Sequence, residues 1–325
     1  MTEMTIEMVA EETGVVEKGR DKRSIVGWKG YMPAITTPFA ADRSLDLDAL
    51  GGLLEWLAAE GMHGLLLAGT TGEWTSMTPE ERATLFRAAG AQLGRSLPLI
   101  AGCTAFTAAE VLAYAAVAKD SGFDGILVTP PPYVRPSADE IVTFYQTVAA
   151  GSALPVCIYN WPPGTGIDMP VELLCRLAEI DNIVAIKQST GNLSAFVATF
   201  FALREKVRVF GHSMDEHGLA LLEARGGDGT MGAGGVLGRT LPDFYNNLWA
   251  GDIEAARLCG RKDRAILEQW YTPQLTGRFG SGPAIMKAAL NLQGLPGGFV
   301  RPPLLEVGED GLDVIRATLV DAGRL

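Results

Sequence analysis

The sequence predicts an α/β fold, an eightfold (β/α)8 TIM barrel carrying a small C-terminal helical appendage. Three observations predict it. Eight short apolar runs recur every 20–35 residues from Gly30 onward, each followed by an amphipathic stretch. Strand-then-helix alternation of this kind implies parallel strands joined by right-handed crossovers. Runs such as GILVT (125–129) and IVAIK (183–187) are apolar on both faces. That suits strands with helices outside and a filled barrel inside. Finally, three of the amphipathic stretches open on the S/T-x-x-E form of a capping box.

Taken in order, strands are expected at Met32–Thr37, Gly64–Gly69, Pro98–Gly102, Gly125–Thr129, Pro155–Tyr159, Ile183–Lys187, Val207–Gly211 and Gly229–Gly232. The capping boxes are Thr78 to Glu81, Thr107 to Glu110 and Ser137 to Glu140. Pro79 stands at the first helical position, where its missing N–H costs nothing. Past the last strand, Arg239–Ala250 closes the eighth unit, giving a barrel over residues 28–250. The patterns at Asp252–Trp270, Gly282–Leu292 and Gly308–Asp321 exceed the barrel's needs and define a helical region over 251–325. Residues 1–27 carry mixed charge without periodicity and are expected to form a flexible tail.

Composition narrows the function classes. At 325 residues and 47% hydrophobic, the chain can bury a large core. A net charge of −11 repels phosphate backbones and anionic lipid, so neither nucleic acid nor membrane is expected as a partner. The first residues lack the basic and apolar regions of a signal peptide. Cys103, Cys157, Cys175 and Cys259 are widely spaced, as suits reduced thiols in the cytoplasm better than disulfides or a zinc site.

In such a barrel the chemistry sits at the C-terminal ends of the strands. Only one lysine, Lys187, ends an apolar strand (IVAIK). Burial there disfavours its ammonium and yields a nucleophilic amine able to attack a ketone as a Schiff base. The structural alternative is a lysine that snorkels or pairs with a carboxylate. Tyr159 ends the preceding strand, and neighbouring strands lie about 5 Å apart, so its phenol could move protons beside the amine. Gly69-Thr70-Thr71-Gly72 offers freed N–H groups and two hydroxyls, a small nest suited to a carboxylate. His63, His212 and His217 do not have metal-site spacing, so no metal is expected. His63 reads as structural, while His212 and His217 follow the seventh strand within reach of the distal end of a substrate. Asp215 and Glu216 read as a solvated helix start, with contact to a polyhydroxyl substrate the alternative. Lys287, past the barrel, reads as structural.

The segments GTTGE (69–73), YNWPPGTG (159–166), AIKQSTG (185–191) and KAALNLQGL…GGFVRPPL (287–304) resemble the dihydrodipicolinate synthase / N-acetylneuraminate lyase family. The resemblance runs from about Gly30 to the C-terminus in the family's order. It implies a class I aldolase that handles pyruvate or another 2-oxo acid as a covalent imine, with no other cofactor. It also implies a homotetramer. Carried over, Lys187 matches the Schiff-base lysine, Tyr159 and Thr70 the proton relay, and Thr71 the carboxylate-holding residue, within the Gly69–Gly72 turn. Met231 falls where a backbone carbonyl faces the 2-oxo acid, and Tyr133 matches a tyrosine that reaches a partner subunit's site.

One position departs from the synthases, which place an arginine where this chain has Gly164. Glycine cannot grip a second carboxylate, and Trp161 adds bulk nearby. The expected reaction is therefore lysis or condensation of pyruvate with an aldehyde other than aspartate semialdehyde. The alternatives are a deoxy-2-oxo sugar acid dehydratase, the lysine-pathway synthase itself, and a barrel that binds a 2-oxo acid without turnover.

Overall fold

The computed structural model describes residues 21–325. Eight parallel strands are present: β1 (Gly30–Tyr31), β2 (Leu65–Leu67), β3 (Leu99–Gly102), β4 (Gly125–Val128), β5 (Val156–Asn160), β6 (Ile183–Gln188), β7 (Arg208–Phe210) and β8 (Gly229–Thr230). From β2 to β8 each pairs with its sequence neighbour, and β1 pairs with β8. The ring closes between the first and second strands through a parallel bridge from Ala34 to Leu66. The first strand starts two residues earlier than its apolar run. Pro33 has no N–H to extend the ladder, so only Ala34 bridges both neighbours beyond it, to Leu66 and Ala233.

The helices follow their sequence signals. They are α1 (Lys22–Ile25), α2 (Leu47–Ala59), α3 (Pro79–Leu93), α4 (Ala108–Asp120), α5 (Ala138–Gly151), α6 (Pro162–Thr165), α7 (Val171–Ala178), α8 (Leu193–Leu203) and α9 (Glu216–Arg225). The three capping boxes form at the starts of α3, α4 and α5, each with both reciprocal bonds. After β8 come α10 (Thr240–Ala250), α11 (Ile253–Trp270), α12 (Gly282–Leu292) and α13 (Glu309–Asp321). Helix α11 packs on α10 and α13, and α12 packs on α13. Among the described residues no helix is long and apolar enough to cross a membrane.

Two apolar layers result from strand alternation. Ile126, Val128 and Ile158 face the helices, whereas Leu127, Cys157 and Tyr159 face inward with Leu66, Ile100 and Phe210. Between β5 and β6 the register shifts at Val156/Cys157: Val156 pairs with Ile183 but Cys157 pairs with Ala185. Val184 is thus an extra residue, and the shift sets Lys187 opposite Tyr159 instead of Asn160.

The expected flexible tail needs correction for residues 21–27; residues 1–20 lie outside the described residues. Lys22 donates to the Ala178 and Ile180 carbonyls at 2.7 Å. Arg23 forms two 2.9 Å bonds to Asp228, which also binds Arg208. Val26 and Trp28 are buried in the barrel interior, Trp28 at 2% exposure. Its indole fills the space a Cβ on Gly125 would need, at the start of β4. The segment therefore seals the N-terminal end of the barrel. Local periodicity misses it because its partners lie far along the chain, from Gly125 to Asp228. Trp28→Ala should cost about 3–5 kcal/mol of stability, as other buried aromatic truncations do. A urea midpoint unchanged from the parent would show that the plug contributes nothing.

Candidate active site

Lys187 stands at the C-terminal end of β6, only 5% exposed. Desolvation pushes its amine down to about 8, and Cys157 is the only charge partner that opposes the shift. The Cys157 thiol is itself pushed up to about 12 by burial, so it stays neutral and leaves the ammonium without compensation. The Lys187 Nζ lies 4.3 Å from the centre of the Tyr159 ring. Burial raises the Tyr159 phenol far above its ordinary value, against hydrogen bonds with Thr70 and Ser189 that act in the opposite sense. A protonated phenol beside a largely desolvated amine can give and take a proton without leaving the site. Ser189 escaped the sequence reading. Its signal was its place two residues after Lys187, on the same side of the chain.

The Gly69–Gly72 turn comes from the end of β2. The N–H groups of Gly72 and of Glu73 just past the turn are used internally: Gly72 donates to the Gly69 carbonyl and Glu73 to that of Thr70, both at 3.1 Å. Among the described residues, the Thr70 and Thr71 N–H groups have no partner, so they and the two hydroxyls are what the turn can offer an anion. A Cβ on Gly72 would press on the Ala68 backbone and the Ile35 carbonyl at 3.1 Å, so the tight turn needs glycine there. Glu73 follows with a left-handed φ of 56° and is buried. Its Oε1 lies 2.5 Å from Lys287 Nζ, and its Oε2 accepts from the Arg301 N–H at 3.1 Å. Lys287 also donates to the Phe299 carbonyl at 2.6 Å. The appendage thus pins the turn through a fully buried ion pair that spacing alone did not connect.

Trp161 stacks on Tyr159, with ring centres 6.0 Å apart and planes 21° from parallel. Met231 and Tyr159 share the interior cluster on which Trp161 packs. Gly164 lies against the Trp161 indole. Tyr133, with φ of 80°, projects from the surface at 91% exposure and takes no part in this enclosed cluster.

The remaining candidates separate from the site. His212 is buried between the edges of Phe196 and Phe200, each 5.0 Å away, and burial pushes it down to about 4. His63 accepts from the Tyr31 N–H and meets Asn246. Asp215 caps α9 through the His217 and Gly218 N–H groups, and Glu216 pairs with Arg257. Among the described residues no three His, Cys, Asp or Glu side chains gather as a metal-ligand set.

Two outcomes follow from this geometry. The rate at which pyruvate becomes trappable by borohydride should climb about tenfold per pH unit and flatten near 8, where Lys187 loses its proton. A profile still rising steeply to pH 10 would mean that the amine is not desolvated. Lys287→Met strands the Glu73 carboxylate in the interior, so it should cost about 3–5 kcal/mol in urea unfolding. Adding Glu73→Gln should recover part of that loss.

Similarity to known proteins runs along nearly the whole chain. Residues 27–322 match the dihydrodipicolinate synthetase family. The 4-hydroxy-tetrahydrodipicolinate synthase of Oceanobacillus iheyensis is 33% identical over 293 residues, 89% of this chain and 96% of the relative. A DapA-like lyase of Rhizobium meliloti, itself uncharacterized, is 31% identical over 90% of this chain and 95% of its own. Among solved structures, YagE, an E. coli K12 prophage protein of the same family in complex with pyruvate, superposes with a TM-score of 0.82. It is 25% identical and covers 92% of this chain and 100% of its own. Dihydrodipicolinate synthase from Thermotoga maritima gives 0.82 at 26% identity, with 92% and 99% covered. With its closed barrel, strand-end lysine and GTTGE turn, this chain belongs to the dihydrodipicolinate synthetase family of pyruvate-dependent class I lyases.

Proposed function

We propose that this lyase joins pyruvate to, or releases it from, an uncharged aldehyde through an imine on Lys187. The observation that carries the reading is the desolvated Lys187 amine facing the Tyr159 phenol across the β5–β6 ladder. The neutral amine attacks the C2 carbonyl of the 2-oxo acid, and loss of water leaves an iminium. Tyr159, whose phenol has the Thr70 and Ser189 hydroxyls beside it, carries the protons of that dehydration. Thr71, with the N–H groups of the Gly69–Gly72 turn, receives the substrate carboxylate. The iminium acidifies the adjacent C3–H. The enamine that forms attacks the aldehyde carbon, and the Met231 carbonyl faces the bound acid. Hydrolysis frees the product and restores the amine. No cofactor beyond this covalent imine is required.

Gly164 leaves the second substrate without the arginine that would hold a carboxylate, which supports an uncharged aldehyde over aspartate semialdehyde. We place the enzyme in the cytoplasm, where its four free thiols stay reduced. The functional form is a homotetramer in which Tyr133 leaves its own protomer for a neighbour's site. Its exposure supports this, as does an open apolar groove of about 400 Å³ between α8 and α9, lined by Leu193, Phe201 and Leu221.

Incubation with pyruvate and borohydride should add one lactyl group per chain, and Lys187→Ala should abolish it. An unchanged adduct in that variant would move the nucleophile elsewhere. Product analysis then separates aldol cleavage from dehydration of a deoxy-2-oxo sugar acid. Light scattering at micromolar concentration should report a tetramer; a monomer would remove Tyr133 from the site.

A further inference from the structure

We infer that Trp161 is the residue that selects the aldehyde, and that the indole stacked on Tyr159 selects an uncharged partner with a planar apolar body. This inference rests on the Schiff-base reading above and asks what the mouth of that site recognises.

The indole is held firmly. The Trp161 carbonyl accepts from the Gly164 and Thr165 N–H groups at 3.1 Å and from the Thr165 hydroxyl at 3.0 Å. Pro162 and Pro163 stiffen the first turn of α6 behind it. One side of the ring is committed to Tyr159. Its Cδ1 and Nε1 lie 2.5 and 2.7 Å from where a Cβ on residue 164 would stand. The indole and any side chain at 164 therefore compete for one space, and Gly164 is glycine because Trp161 occupies it. The missing cation and the added aromatic ring are a single change.

The rest of the segment has nothing polar to spare. Asn160 spends its amide on Asp168 at 2.9 Å and Gln188 at 2.7 Å, and its carbonyl oxygen accepts from the Met169 N–H at 3.1 Å. The Thr165 hydroxyl is taken up by the Trp161 and Ile167 backbone. What Trp161 and its neighbours present to a substrate is an aromatic surface and one indole N–H. Such a wall favours flat apolar bodies over polyhydroxyl chains, whose hydroxyls would be stripped of water without replacement partners. A cation from another loop, Arg135, has its guanidinium 3.2 Å from the Cβ position of Gly166, on the exposed rim two residues beyond Gly164. Water screens a charge there, so it is a weak substitute for an enclosed arginine.

The test compares kcat/KM for pyruvate with benzaldehyde, glyceraldehyde and aspartate semialdehyde, with borohydride trapping of pyruvate run on each protein. The parent should favour benzaldehyde by about tenfold or more over both others, as the loss of one charge-assisted pair or of one aromatic contact implies. Trp161→Phe should keep most of that ratio, and Trp161→Ala should collapse it. Gly164→Ala, which displaces the indole without removing it, should lower the ratio as well. Preference for glyceraldehyde or aspartate semialdehyde would overturn the proposal, and so would a ratio indifferent to Trp161→Ala. Turnover of aspartate semialdehyde that disappears in Arg135→Ala would transfer selection to the rim. An intact pyruvate adduct with none of the three aldehydes consumed also overturns it. Absence of the adduct in the parent sinks the Schiff-base reading instead.

Discussion

An amine buried without a carboxylate beside it is the constraint to which the rest of this molecule answers. Lys187 has a phenol ring at 4.3 Å and a thiol that burial keeps neutral. Holding it there requires a barrel closed to water from below and walled above. Trp28 and the Arg23–Asp228–Arg208 cluster close the lower end, and Tyr159 with Trp161 builds the wall. Desolvation disfavours the lysine's charged form, so stability is spent where the proposed nucleophile would need it.

The second buried charge follows the opposite rule. Lys287 and Glu73 neutralise each other in the interior, while the other carboxylate oxygen accepts from the Arg301 N–H and the ammonium donates to the Phe299 carbonyl. Breaking this buried ion pair by removing one partner is costly, because it leaves the other charge uncompensated. Its position immediately after Gly72 makes it the anchor of the turn that carries Thr70 and Thr71. The C-terminal appendage is accordingly part of the site's architecture, although none of its side chains has been assigned to the reaction. Arg301 extends the same tie by pairing with Glu81 in the first turn of α3.

Residues converging on Lys187 divide by chemistry. Hydroxyls and backbone N–H groups cluster on the β2 side, suited to an acid, while the segment after β5 is aromatic and proline-stiffened. That asymmetry suits the proposed pair of chemically unlike substrates, one anionic and one apolar. The two halves meet at Tyr159, whose phenol is turned toward the Thr70 hydroxyl and whose ring stacks on Trp161.

Repeating apolar runs and three capping boxes were sufficient, read locally, to determine an eightfold barrel and its helical appendage. Both are properties of short windows: alternation that must bury a face, and hydroxyls that must satisfy helix N–H groups. The strand-end position of Lys187 was equally visible, because it is a matter of residue type at a place the pattern defines; the absence of a cation at Gly164 was legible only through the family resemblance. What local pattern could not decide is which residues face each other. The extra residue at Val184, which sets Lys187 opposite Tyr159, is a register choice between two strands and leaves no mark on either one alone. The docking of residues 21–28 under the barrel, the link from Lys287 to Glu73, and the contest of Trp161 and Gly164 for one volume are likewise contacts between packed elements. Only the closed barrel decides them, because their energies depend on the desolvation and steric fit that packing creates.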